Sequence, residues 1–345
     1  MLLDLNEQPV EAATQSEIVA EKILVALCQV AVLESGEYHG SASIGAILFS
    51  DDSVSTDELL KRADIAMYQA KKSGRNTIRF FDPKMQESIN ARVSLGTVLR
   101  HALVRQQFSL YYQIQIDGAS RPVGAEALIR WIHPVRAVVL PGEFIPLAEE
   151  TGQILPIGQW VLESACAQLE VWHHDVLTRD LVLSVNVSAR QFHQADFAAQ
   201  VEMYCQSYSV DPSRLKLEIT EGMLLENIED VIVTMDRLKR IGIGFSLDDF
   251  GTGYSSLQYL KLLPLAQLKI DRSFVRDIST DPNDRAIVIT IIAMAKSLSL
   301  DIIAEGVETE EERIFLADHG CMKYQGYLFS KPLPIAQFEE LLKRC

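Results

Sequence analysis

The spacing of apolar residues changes character near residue 106. Upstream, Leu59, Leu60, Ala63, Ala66, Met67 and Ala70 recur at helical spacing, the stripe expected of an amphipathic helix. Ser55 or Thr56 can cap its start, Lys71 and Lys72 suit its last turn, and Gly74 its C-terminal end. A second helical pattern covers residues 19–27, and short strands are expected at 41–49 and 77–81. Residues 83–105 read as a helical linker. Downstream the pattern becomes short apolar runs, near 108–117, 122–130, 181–187, 214–220, 243–248, 266–271, 300–305 and 322–329. Helical stretches separate most of them, for example 155–173, 229–240, 284–298 and 308–319. Eight strands alternating with helices predict an α/β chain built as a (β/α)8 barrel. The link at 117–121 is too short for a helical crossover, so the first two strands should be antiparallel. The plan is therefore a small α+β piece at 1–82, the linker, and a barrel at 106–345.

Composition narrows the function. A net charge of −15 excludes a broad DNA- or RNA-binding face, because phosphate contacts need Lys and Arg. It leaves room for one small phosphorylated ligand held through cations. The longest apolar run, 286–295, is far short of the roughly 20 residues of a membrane span. Five scattered cysteines suggest reduced thiols and a cytoplasmic setting. The histidine pair at 173–174 and the three tryptophans read as surface and packing groups.

The candidate chemistry lies in polar residues on strands. Residues two apart share a strand face, which aligns Glu126 with Leu128 and Arg130, Ser184 with Asn186, and Lys216 with Glu218. Ser246 aligns with Asp248, Lys269 with Asp271, Asp249 opens a loop, and Glu305 ends its strand. A barrel interior should be filled by branched apolar residues, with the active site at its C-terminal mouth. Carboxylates buried there without partners would be costly. Glu126, Asn186, Glu218, Asp248, Asp249 and Glu305 are all oxygen donors, which suits magnesium or manganese better than zinc. With Lys269 and Asp271 they supply the parts of a two-metal hydrolytic site. Each acid could instead cap a helix or pair with an exposed base, but not all of them at one end of one barrel.

The segment Glu126-Ala127-Leu128, followed by Ile129-Arg130-Trp131, resembles the motif that names the EAL-domain cyclic di-GMP phosphodiesterases. The likeness continues through 141–152 (PGEFIPLAEETG), Asn186, Glu218, 248–256 (DDFGTGYSS), Lys269 to Asp271, 304–308 (AEGVE) and 325–332 (QGYLFSKP). The resemblance implies that Glu126, Asn186, Glu218 and Asp248 hold one metal and Asp249 the second or both, with Glu305 completing the site. It implies that Lys269 orients the attacking water and that Arg130, with Leu128, Asp271 and Gln325, contacts the substrate. The loop with Phe250, Gly251, Thr252 and Gly253, anchored by Glu308, would couple metal binding to contacts within a homodimer formed through the barrel. The implied reaction is hydrolysis of cyclic di-GMP to linear pGpG with two Mg2+ or Mn2+ ions.

Residues 43–45 (SIG), 63–68 (ADIAMY) and 71–76 (KKSGRN) resemble the C-terminal half of a GGDEF diguanylate cyclase domain. The motif that names that domain is absent, so no cyclase activity is expected. Its half-sheet would leave an exposed edge, a liability for self-association. Two departures from the phosphodiesterase pattern stand out: Ile114 replaces a proline, and Met322 replaces an acid whose loss would weaken support for the site. A catalytically inactive cyclic di-GMP receptor, a regulatory scaffold and a two-carboxylate glycosidase are the alternatives. The complete ligand set and Lys269 favour the enzyme.

Overall fold

The computed structural model describes residues 9–27, 31–33, 36–38, 41–49, 54–82, 95–225, 227–251 and 257–344. The chain divides into two units, Met1–Thr97 and Val98–Cys345.

In the first unit the helix Thr56–Lys72 forms as its sequence predicts. Ser55 accepts the Glu58 N–H at its start, and Gly74 turns left-handed (φ 101°) just past its end. It packs on two short parallel strands, Ile44–Ala46 and Ile78–Phe80. Gly45 permits that approach, because a Cβ there would lie 2.1 Å from the Ala63 carbonyl oxygen. The other helix, Pro9–Leu27, starts ten residues before the expected pattern at 19–27. Of the expected helical linker at 83–105, residues 95–105 are described; 95–102 are helical and 103–105 form a turn.

The second unit is a closed barrel. Its strands are β1 (Phe108–Asp117), β2 (Pro122–His133), β3 (Val182–Asn186), β4 (Leu215–Thr220), β5 (Gly244–Phe250), β6 (Gln267–Ile270), β7 (Asp301–Ala304) and β8 (Lys323–Tyr324). Pairing runs β1-β8-β7-β6-β5-β4-β3-β2, and β1 pairs β2 to close the ring. β1 is antiparallel to both neighbours and the remaining pairs are parallel. The turn after β1 closes through Asp117 N–H to the Arg121 carbonyl and Ser120 N–H to the Asp117 carbonyl. β2 continues into a hairpin with the short strand Ala137–Val139.

The core sits between strands and helices. Leu183, Val185, Leu217, Ile219, Phe245, Leu247, Leu268 and Ile270 are fully buried on the outward faces of β3 to β6. Helices Ile154–His173, Ile228–Arg240 and Pro282–Ser297 each bury an apolar stripe, the burial that drives folding at roughly 25 cal/mol per Å2. Trp131 and Trp172 are buried within this packing, and Cys166, Cys205 and Cys321 are buried free thiols.

The expectation of a branched apolar interior is wrong for this barrel. Side chains that alternate with the apolar ones form two polar levels. The lower holds Gln115, Ser184, Lys216, Ser246 and Gln267, with Lys216 Nζ donating to Gln267 Oε1 at 2.9 Å. The upper holds the acids.

Candidate active site

The acids share one end of the barrel, staggered from strand to strand by the register. Glu126 lies opposite Ser184, Asn186 opposite Glu218, and Ser246 opposite Glu218. Asp248 and Lys269 stand two residues further along their strands than Ser246 and Gln267, which are themselves paired. Loop chemistry fixes the strand ends. The capping box of Ser188 and Gln191 starts a helix just after Asn186, and that of Thr309 and Glu312 starts one after the Glu305 loop. Gly306 lies between them at φ 67°, where a Cβ would sit 2.4 Å from Arg272 Cβ, so only glycine lets Glu305 stand there.

Lys269 is the centre of the site. Its ammonium, fully buried, lies 2.5 Å from Glu218, 2.5 Å from Glu305, 3.2 Å from Asp248 and 3.9 Å from Glu126. An ammonium has three protons, and three carboxylates lie within 3.2 Å of it. Burial works to lower the Lys269 pKa, but the four carboxylates together hold it well above the ordinary lysine range. Burial pushes Glu218 up to about 8 and raises Glu305 as well, in each case against the pull of Lys269. A buried ion group of this kind requires its partners, since removing one side typically costs about 3–5 kcal/mol.

Glu126 is held by amides. Asn186 Nδ2 donates to its Oε1 at 2.6 Å and Gln325 Nε2 to its Oε2 at 2.5 Å. Gln325 is oriented in turn: its Nε2 also donates to Gln113 Oε1 (3.1 Å), and its Oε1 accepts from Gln115 Nε2 (2.9 Å). Gln113 Nε2 donates to the Ser330 carbonyl. A chain of amides thus runs from the antiparallel strand β1 to the first acid. Sequence reading missed Gln113 and Gln115, although their alternation with Tyr111 in YYQIQ was the available signal. It also missed Tyr111, over whose ring Arg130 stacks with 5.6 Å from guanidinium carbon to centroid.

The remaining candidates divide. Arg130 is nearly buried, with Nη1 donating to the Ile129 carbonyl, and Leu128 is half-buried opposite Tyr111. Asp271 caps the helix Arg272–Arg276, accepting from Ser273 N–H and Oγ. Asp249 is exposed at φ 53°, with its N–H on Asp248 Oδ1. Burial first, then the charges of Asp248 and Asp271, lift its pKa to about 6. Phe250 is buried, and the Gly251 N–H reaches Glu221 Oε2 at 3.4 Å, which brings in a buried acid the sequence did not suggest. Glu308 is exposed, its N–H taken up by Glu312. Its expected partners Thr252 and Gly253 lie outside the described residues. Ile114 points into the outer core, away from the glutamines. Met322 does not bear on the acids: it is half-exposed beside the Gly118 turn, so the expected weakening has no structural basis.

The donor set fits a hard divalent cation. Every acid offers oxygen, and Glu218 Oε1 is buried without a hydrogen-bond partner, as is Glu305 Oε1, which faces the ammonium off the bonding direction. Among the described residues, however, no three acids are gathered into a coordination sphere. They are gathered on Lys269 instead.

A fold of this kind, with polar side chains crowding the C-terminal mouth of a closed barrel, defines a barrel with a ligand-binding or catalytic mouth. Comparison with known proteins gives the family. Residues 97–332 match the EAL domain and residues 1–77 match the diguanylate cyclase GGDEF domain, and the chain belongs to the EAL family, preceded by part of a GGDEF domain. It is 42% identical to the bifunctional diguanylate cyclase/cyclic di-GMP phosphodiesterase MucR of Pseudomonas aeruginosa, over 98% of this chain and 49% of that protein. It is 36% identical to the cyclic di-GMP phosphodiesterase PdeR of Escherichia coli, over 95% of this chain and 49% of that one. The chain spans about half the length of these curated relatives. Among solved structures, the PaMucR phosphodiesterase in complex with c-di-GMP superposes with a TM-score of 0.68 at 44% identity, covering 70% of this chain and 97% of that one. The EAL enzyme Bd1971, bound to cAMP and cyclic-di-GMP, gives 0.71 at 30% identity, covering 84% and 77%.

Proposed function

We propose that the barrel hydrolyses one phosphodiester bond of cyclic di-GMP, releasing linear pGpG, and that residues 1–82 make no cyclic di-GMP. The observation that carries this reading is the acid layer itself. Glu126, Glu218, Asp248 and Glu305 converge on Lys269 at the barrel mouth, in a chain whose relatives are named as phosphodiesterases of that nucleotide. The set Glu126, Asn186, Glu218, Asp248, Asp249 and Glu305 would hold two Mg2+ or Mn2+ ions. When bound, such ions neutralise phosphate charge and make water acidic enough to serve as a nucleophile near neutral pH.

The chain's own residues do the rest. Arg130, stiffened by Tyr111, offers a planar two-pronged donor to a phosphate oxygen. Leu128 and Asp271 border the substrate. Gln325 holds Glu126 in place by donating to its Oε2. Lys269 donates towards the attacking water and tempers the negative charge of the acids. The loop that opens at Asp249 and runs through Phe250, Gly251, Thr252 and Gly253, with Glu308 beside it, would report metal binding to a second barrel in a homodimer. Buried free thiols at 166, 205 and 321 suit a cytoplasmic enzyme, and among the described residues no helix is long and apolar enough to cross a membrane. The units are taken as 1–82, a linker 83–105 and a barrel 106–345.

Incubating the purified chain with cyclic di-GMP, with manganese or with EDTA, and resolving the products by chromatography tests the reading. Metal-dependent pGpG is the expected result. Intact nucleotide in every tube, with tight binding by calorimetry, would make the chain a receptor instead.

A further inference from the structure

The four carboxylates nearest the Lys269 ammonium are Glu218, Glu305, Asp248 and Glu126. All four belong to the set proposed above to hold divalent ions, and the inference that follows rests on that reading. Magnesium draws its oxygen ligands to about 2.0–2.1 Å, so an ion on Glu218 and Glu305 would crowd an ammonium that already lies 2.5 Å from both. Two cations cannot share that space without strong repulsion. The strand cannot retreat, because β6 is paired on both sides, to β5 and to β7. The lysine stem can, since it carries a compact point charge on four rotatable carbons.

We propose that Lys269 is a tethered competitor of the divalent ion: its ammonium balances the acid layer until an ion binds, and it must then leave Glu218 and Glu305. Two consequences follow from the charge count. Without any cation, four carboxylates at one end of the barrel would repel each other and lose their solvation, so Lys269 keeps the barrel foldable while no ion is bound. With an ion present, the same ammonium weakens its hold, so Lys269 sets the concentration at which the site fills. A lysine whose ammonium stood clear of the ion would leave metal affinity untouched.

The test is Lys269→Met, which keeps the stem and removes the charge, with manganese as the probe. Affinity is read by calorimetry and melting temperature is read in EDTA and in saturating manganese. Expected is manganese binding tighter by about tenfold or more, with a melting temperature that falls below wild type in EDTA and recovers with the ion. A variant that folds only with manganese is the same outcome in its extreme form. Unchanged or weaker manganese binding by the folded variant overturns the proposal while leaving the metal site standing. A wild type that neither binds manganese nor melts higher with it overturns the metal reading, and the competitor with it. If the variant is insoluble under both conditions, wild-type protein labelled with 15N-lysine decides. The Lys269 side-chain resonance should be exchange-protected in EDTA and move on magnesium saturation, and a resonance that stays in place overturns the proposal.

Discussion

Gln115 never touches an acid, yet its replacement should impair the site. It is buried on β1 and donates to Gln325 Oε1 at 2.9 Å, which leaves Gln325 Nε2 to face Glu126 Oε2 at 2.5 Å. Gln115→Leu keeps the volume and removes the donor. If Gln325 stays as it is, a buried carbonyl oxygen loses its partner, a cost of about 1–3 kcal/mol. If the Gln325 amide flips to recover one, it turns its oxygen on the Glu126 carboxylate and forfeits a charged hydrogen bond worth about 1.5–3 kcal/mol. Both routes cost a similar amount, so the variant should lose about 1–3 kcal/mol of stability. Hydrolysis should fall by about 10- to 100-fold, the usual effect of removing a group that orients a metal ligand. Urea unfolding in EDTA gives the first number and initial rates with manganese give the second. Gln115→Asn, which retains an amide, should recover part of the rate if its shorter reach still meets Gln325. Unfolding within about 0.5 kcal/mol of wild type, together with an unchanged rate, would refute the idea that the amide chain orients Glu126.

Other outcomes follow from the same geometry. Arg130→Lys loses the planar fork and the stack on Tyr111, so KM for cyclic di-GMP should rise about tenfold with manganese affinity unchanged; an unaltered KM would remove Arg130 from substrate contact. Asp249 has a pKa raised to about 6, first by burial and then by Asp248 and Asp271. A raised carboxyl favours the protonated folded state, so its contribution in EDTA is present at low pH and lost as pH rises through about 6. Because Asp249 is exposed, that contribution should stay below about 1 kcal/mol. Metal binding needs the carboxylate, so manganese affinity should climb over the same interval, and a calorimetric affinity flat across it would exclude Asp249 as a ligand.

Much of the barrel was legible because strand parity and turn length are local properties. The antiparallel start followed from a link at 117–121 too short for a helix, and β1 spans the expected residues 108–117. The acids stood out because they break an otherwise apolar alternation. The last strand was over-read: only Lys323–Tyr324 pairs as a strand, not 322–329, because Gln325 and Gly326 turn in to meet Ala304 and Val307. What local pattern could not show is which side chains meet across the barrel. Gln115 and Gln325 are 210 residues apart, and nothing in either segment announces the other. The same holds for Lys269, for which the resemblance implied a role in orienting water but not the position on which four acids converge. Of the polar lower level, Ser184, Lys216 and Ser246 were legible as face-mates of the acids, but Gln115 and Gln267 were not, for a related reason. An apolar barrel interior is the usual case, and only closure of the ring shows which strand faces are the inner ones.

The most direct measurement of the central claim is a side-by-side turnover of cyclic di-GMP by wild type and Glu126→Ala, each with manganese and with EDTA, with folding checked by circular dichroism. Expected are pGpG from wild type with manganese alone and a folded variant slower by about 1000-fold or more, if Glu126 holds the ion as proposed. A folded variant that turns over like wild type, or wild-type product that persists in EDTA, would contradict it.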